Sequence, residues 1–427
     1  MKHLSLLALL AVTACDDGGS EDGPPIEIAD GGGAGGVGGK PDGPDTGSGG
    51  TAGEGGAGGE GGGGEGGVGG EGGVGGEGGG ACEGLPVLGC GGNLDRLQIE
   101  VIGTERDGLN VPRDLDFNPE VPGELWVINR RDDSTSTFQN VGTPEQRVIH
   151  RVDPYAMHFM EEVSSIDFGQ PGTFGTCQES DNRYNNQAPP NGFMGPTLWP
   201  SDLEIYGFSN PEAVRANGFD LGSHLDMLHE SPFCMGIVWD YDNAYWIFEG
   251  LSASIMRADF KVDHGVGYDD HSDGVMVRYA EGQVKRVPDV PSHLELDRRS
   301  GLLYIADTGN SRIAVMNTEM INRTRRIGVI EPGTRLAVMD DSPISTLGST
   351  ADVLEAPSGI ALHEGVLYVT DNATSQISAW TLGGELIDTL TLDIDTGGLM
   401  GLTFDDQGRI YVVDAQTDRL LRISPRF

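Results

Sequence analysis

Positive charge is what this sequence has least of. Its 427 residues carry 27 lysines and arginines against 66 acids, a formal charge of −39. A surface of that sign repels phosphate backbones and argues against nucleic acid as a partner. Long apolar runs are also missing. The one near the start, residues 4–12, is too short to span a bilayer as a permanent helix. Cysteine is scarce, five in all, and no Cys-x-x-Cys occurs, so a zinc ribbon or a thioredoxin-type site finds no support. His-Glu-x-x-His, Gly-x-Ser-x-Gly and EF-hand spacings are absent, and the glycine-rich N-terminal segment lacks the Lys-Ser/Thr of a phosphate loop.

What the chain does have is repetition. Residues 291–317 contain an alternating run, a turn closing on Gly301, the run Leu302-Leu-Tyr-Ile-Ala-Asp307, a Gly-Asn turn and a third apolar run. This spacing predicts three short strands in a meander. Similar units surround Leu125-Trp-Val-Ile-Asn129, Thr173-Phe-Gly-Thr-Cys-Gln178, Ala244-Tyr-Trp-Ile-Phe-Glu249, Val366-Leu-Tyr-Val-Thr-Asp371 and Ile410-Tyr-Val-Val-Asp414. One such sheet cannot cover both of its faces, but six copies in a ring cover each other. The fold class is therefore all-β, a six-bladed β-propeller over residues 93–427. An early strand at 97–102 is placed to complete the last blade and close the ring. The run Leu-Tyr-Ile-Ala-Asp-Thr-Gly-Asn-Ser-Arg-Ile (303–313) resembles the NHL-repeat propellers, strongly over 291–317 and more loosely elsewhere.

Residues 1–15 read as an export signal, a basic start followed by a short apolar core. The core ends in Val12-Thr-Ala-Cys15, which resembles a bacterial lipobox. That resemblance implies that Cys15 is acylated and holds the protein to a lipid bilayer of the cell envelope. Residues 16–92 follow as a Gly/Glu-rich tether with too few apolar groups to offset the entropy of ordering. About 75 such residues reach roughly 45–50 Å on average. An even number of cysteines then remains, Cys82, Cys90, Cys177 and Cys234, which in an exported protein suggests two disulfides. Cys82 and Cys90 bracket a small loop. Cys177 and Cys234 fall at the facing ends of blades 2 and 3.

Aligning the blades places Arg113, Ser164, Met235, Ser292, Ser358 and Met400 in one ring at the channel mouth. Asp114, Ser165, Gly236, His293, Gly359 and Gly401 form the next. From these rings Arg113, Asp114, Met235, His293 and Met400 are the candidate ligand-binding residues. Three long excursions interrupt the repeat, at 180–195, 207–231 and 261–274, and long loops on a rigid scaffold are where function concentrates. His224 and His229, in the second, are expected to join His293 as three nitrogens around a zinc-type ion at the channel mouth. Asp263, Asp269, Asp270 and Asp273, in the third, form an acidic cluster suited to Ca²⁺ and are expected on the opposite face. One divalent metal, zinc or calcium, is thus the cofactor to look for.

Two functions fit these residues. The first is an envelope-anchored binding module that takes a small molecule, peptide or protein partner at the channel mouth. The second is a metal-dependent lyase or hydrolase. Amidating lyases and gluconolactonase-like propellers have a similar architecture with a metal at the channel mouth. The amidating-lyase ligands are His residues opening inner strands; here those places hold Arg113, Ser164, Met235, Ser292, Ser358 and Met400, so that ligand set does not carry over.

Overall fold

The computed structural model describes residues 82–426. The signal segment 1–15, Cys15 and the tether up to residue 81 lie outside the described residues. Among the described residues no helix is long and apolar enough to cross a membrane.

Six sheets of antiparallel strands stand around one axis, as the repeats require. Their inner strands are Pro112–Phe117, Val163–Phe168, Cys234–Tyr241, Leu294–Asp297, Pro357–His363 and Leu399–Phe404, in blades 1 to 6. Each second strand is buried on both of its faces, because neighbouring blades cover them. An aromatic stands second or third in every one of them: Trp126, Phe174, Tyr245, Tyr304, Tyr368 and Tyr411, none more than 4% exposed. The acids that end these strands bind backbone. Asp371 accepts N–H groups from Glu355 and Ala356 before its blade's inner strand and from Ala373 and Thr374 in the following turn. Asp307 does the same for Lys285 and adds Arg312 at 2.8 Å. Part of the acidity is therefore structural.

Leu97–Gly103 pairs antiparallel with Arg419–Pro425 and closes the ring, so the last blade is built from both ends of the domain. Both expected disulfides are present, Cys82–Cys90 and Cys177–Cys234. The folded domain starts earlier than the expected boundary at residue 93. Leu88 is fully buried in the core cluster of blades 5 and 6, and the N–H groups of Leu85 and Gly91 both bond to Asp388. The tether expected over 16–92 thus overlaps the domain from Cys82 onward.

One departure has consequences for the site. The chain between the third and fourth strands of blade 4 leaves its own blade. It forms a hairpin, Thr324–Ile327 with Arg335–Met339, whose second strand pairs in parallel with Val275–Tyr279 of blade 3. Blade 3 therefore has six strands, and blade 4 ends in the two-residue strand Ser345–Thr346.

Candidate metal centre

The three excursions meet at the outer edge between blades 2 and 3. The fourth strand of blade 2 is only Asp226–Met227, so His224 precedes it and His229 follows it. The 261–274 excursion is laid along this strand by backbone bonds from His264 to Leu225 and from Gly267 to His224. Asn210 and Asn217, at the ends of the helix Pro211–Asn217, hold the carbonyls of Val266 and Gly267. His224, His264 and His271 come together as a result. One ligand atom from each lies within 4.8 Å of the others.

Each of these imidazoles is fixed through Nδ1. His224 donates to the Leu221 carbonyl at 2.9 Å and His264 to the Gly265 carbonyl at 2.8 Å. The Nε2 atoms of both are buried without a partner. His271 Nδ1 lies 2.8 Å from Asp226 Oδ1, and its Nε2 lies 3.1 Å from Asp269 Oδ1. In His224 and His264 the bonded Nδ1–H fixes the tautomer and leaves Nε2 as the lone-pair donor, the arrangement a metal-ligating imidazole needs, whereas His271 would exchange its Nε2 bond to Asp269 for the ion. Burial, with His264 and His271 nearby, holds His224 well below the usual histidine range. Burial and His271 together bring His264 down to about 4. Burial also opposes charge on His271, but its bonds to Asp226 and Asp269 outweigh that and lift it to about 10.

Two more histidines flank the group. His229 has its Nδ1 on Glu331, supplied by the displaced hairpin, and its Nε2 is buried and bare. Phe193 stacks on its ring at 4.1 Å, and His158 stacks on both Phe193 and Tyr184. Phe159 covers His224 at 3.7 Å. Asp269 is exposed, so the centre is walled by aromatics and open on the Asp269 side.

The sequence-derived sets are divided differently. His224 and His229 lie at the rim, whereas His293 sits in the channel with Nδ1 3.3 Å from Asp114 and Nε2 3.2 Å from the Ser164 carbonyl. His293 lines the channel while His224 is grouped with His264 and His271 at the rim, so the expected His224–His229–His293 set is not brought together. Nor do the four aspartates converge. Asp263, Asp270 and Asp273 each accept a backbone N–H from their own loop, at Gly265, Ser272 and Val262. Only Asp269 turns to a histidine, and it does so beside His224 rather than on an opposite face. The physical reason is the 261–274 loop, which folds back over blade 2 instead of staying with blade 3. Of the channel-mouth residues, Arg113, Asp114, Met235, His293 and Met400 are all buried. Asp114 and His293 also line a channel cavity of about 70 Å³ to which all six blades contribute.

No protein-family model matches the sequence, and no curated protein does. Solved structures that are similar include an auxiliary nutrient binding protein from Bacteroides ovatus, 12% identical over 78% of this chain and 77% of that one, TM-score 0.43. Virginiamycin B lyase from Staphylococcus aureus is 11% identical over 77% and 100%, TM-score 0.43. A protein of unknown function from Bacteroides thetaiotaomicron is 9% identical over 77% and 76%, TM-score 0.47. Nothing about ligand or reaction passes from them to this chain.

Proposed function

We propose that this chain is an exported, envelope-tethered propeller that takes its ligand at a transition-metal centre on the rim between blades 2 and 3. The observation carrying this reading is the pair of buried, unpartnered Nε2 atoms of His224 and His264 beside His271. Three imidazoles suit zinc or a neighbouring divalent transition metal better than calcium, which prefers oxygen donors. His224, His264 and His271 would hold the ion, with Asp269 as a fourth donor that a ligand displaces. Asp226 orients His271. The aromatic wall of Phe193 and Tyr184 would supply apolar contact to the ligand. Two disulfides support an oxidising compartment, and the Val-Thr-Ala-Cys15 run supports the lipid anchor.

A bound ion would supply an open coordination position and Lewis acidity. Binding alone needs no more. The metal-dependent enzyme is retained as a second reading because of His229. Its Nδ1 is held by Glu331, its Nε2 is buried without a partner, and its ring centre lies 5.9 Å from that of His271. Elemental analysis of the purified full chain decides whether a metal is bound. If His229→Ala holds metal and ligand unchanged while turnover disappears, the enzyme reading stands; if no turnover exists to lose, the chain is a binding protein.

A further inference from the structure

The arginines buried within the blades come with carboxylates, except one. Arg278 lies 3.6 Å from Glu249 and Arg422 2.7 Å from Glu100, and the half-buried Arg312 lies 2.8 Å from Asp307. Arg113 opens the inner strand of blade 1, is 4% exposed, and has no carboxylate oxygen of the described residues within 4.0 Å. Its Nη1 reaches only the Met400 sulfur at 3.5 Å, a weak acceptor, and its Nε is buried without a partner. With 66 acids in the chain the lack of a counter-ion is not a matter of supply. Burial, followed by repulsion from Arg130, brings Arg113 down to about 10, so it is still a cation at neutral pH. An unpaired buried charge is strongly destabilising.

A second orphan lies in the same ring. Ser358, fully buried at the matching position of blade 5, has no partner for its hydroxyl. Only Met400 of blade 6 stands between them in ring order. Two glycines let the three inner strands approach closely. A Cβ on Gly401 would stand 3.1 Å from the Arg113 carbonyl, and one on Gly359 would stand 2.7 Å from that of Met400. Above the ring a strap crosses the mouth. Asp289 pairs with Arg130 at 2.8 Å and bonds through its N–H to Glu179, which also holds Arg286.

We infer that Arg113 and Ser358 form a receptor for one carboxylate group of a small molecule at the channel mouth, separate from the rim centre. The guanidinium fork matches the two oxygens of a planar carboxylate, and the serine hydroxyl adds a third donor. Arg130 and Arg286 already pair with Glu162, Glu179 and Asp289, so Arg113 supplies one uncompensated charge and a monoanion is favoured over a phosphate dianion. The ring residues are too buried to admit more than a small group.

The test is thermal unfolding of the full chain in sodium acetate, against chloride and inorganic phosphate at equal ionic strength. Acetate is expected to raise Tm saturably by about 1–3 °C, with chloride and phosphate giving no saturable rise. Arg113→Met removes the unpaired charge at similar volume, so it should unfold at a higher temperature than wild type in chloride and lose the acetate response. Ser358→Ala should weaken the apparent acetate affinity several-fold, and it serves if the arginine variant fails to fold. The proposal is overturned by no acetate effect on the wild type, by phosphate matching acetate, or by an acetate response that persists in either variant unchanged.

Discussion

His271 and Asp226 stand 45 residues apart in sequence, yet Nδ1 of one lies 2.8 Å from Oδ1 of the other. That bond joins the excursion of blade 3 to the last strand of blade 2 and sets which nitrogen of His271 faces His224 and His264. Asp226→Asn should keep the fold and the three nitrogens but loosen the ring, lowering metal affinity by about 10- to 100-fold. Competition against a chelator of known affinity measures it; an unchanged affinity would show that Asp226 only fills space.

The Cys177–Cys234 bridge closes a loop between blades 2 and 3, with a sequence separation of 57. The chain-entropy account gives about 4 kcal/mol for a loop of that length. The double variant Cys177→Ser/Cys234→Ser should therefore unfold at markedly lower denaturant with little change in slope. Equal midpoints for the two proteins would exclude a stabilising role.

Glu295 faces the channel, where burial and then Asp167 push its carboxyl up to about 8 from an ordinary 4.5. The folded state holds that proton more tightly than the unfolded chain does. Its stabilising contribution is therefore complete below about pH 4.5 and is lost as pH rises to 8. Glu295→Gln should remove that part of the slope, gaining on the order of 1–3 kcal/mol over wild type at pH 8 and little at pH 4.5. Denaturant melts at the two pH values test it, and parallel curves for the two proteins would count against it.

The repeat was legible because each blade writes its own turn chemistry, such as the aromatic at Tyr304 and the backbone-binding acid at Asp307. The closing strand and both cysteine pairs followed from counting. The excursions were readable as departures from the repeat, but their faces were not. His224 and His229 are only five residues apart, and nothing local announces that a two-residue strand separates them. His264 and His271 were visible as part of an acidic run, and their histidines were the better signal. Glu331 reaches His229 only because the hairpin at 324–339 pairs with a neighbouring blade, and strand pairing of that kind leaves no local mark. His158, within Ala156–Phe159, reads as an ordinary apolar turn.

Cys15 lies outside the described residues, so its acylation is tested in cells. Wild type should take up an acyl-chain label and sediment with membranes. Cys15→Ser should do neither, and equal labelling of the two would refute the anchor.

The central claim is that the metal sits on the rim histidines and not in the channel. Its most direct measurement is metal content after incubation with Zn²⁺ and dialysis, comparing wild type, His264→Ala and His293→Ala. The account predicts one equivalent in wild type and in His293→Ala, and a severe loss in His264→Ala. Loss confined to His293→Ala, or no retained metal in wild type, would contradict it.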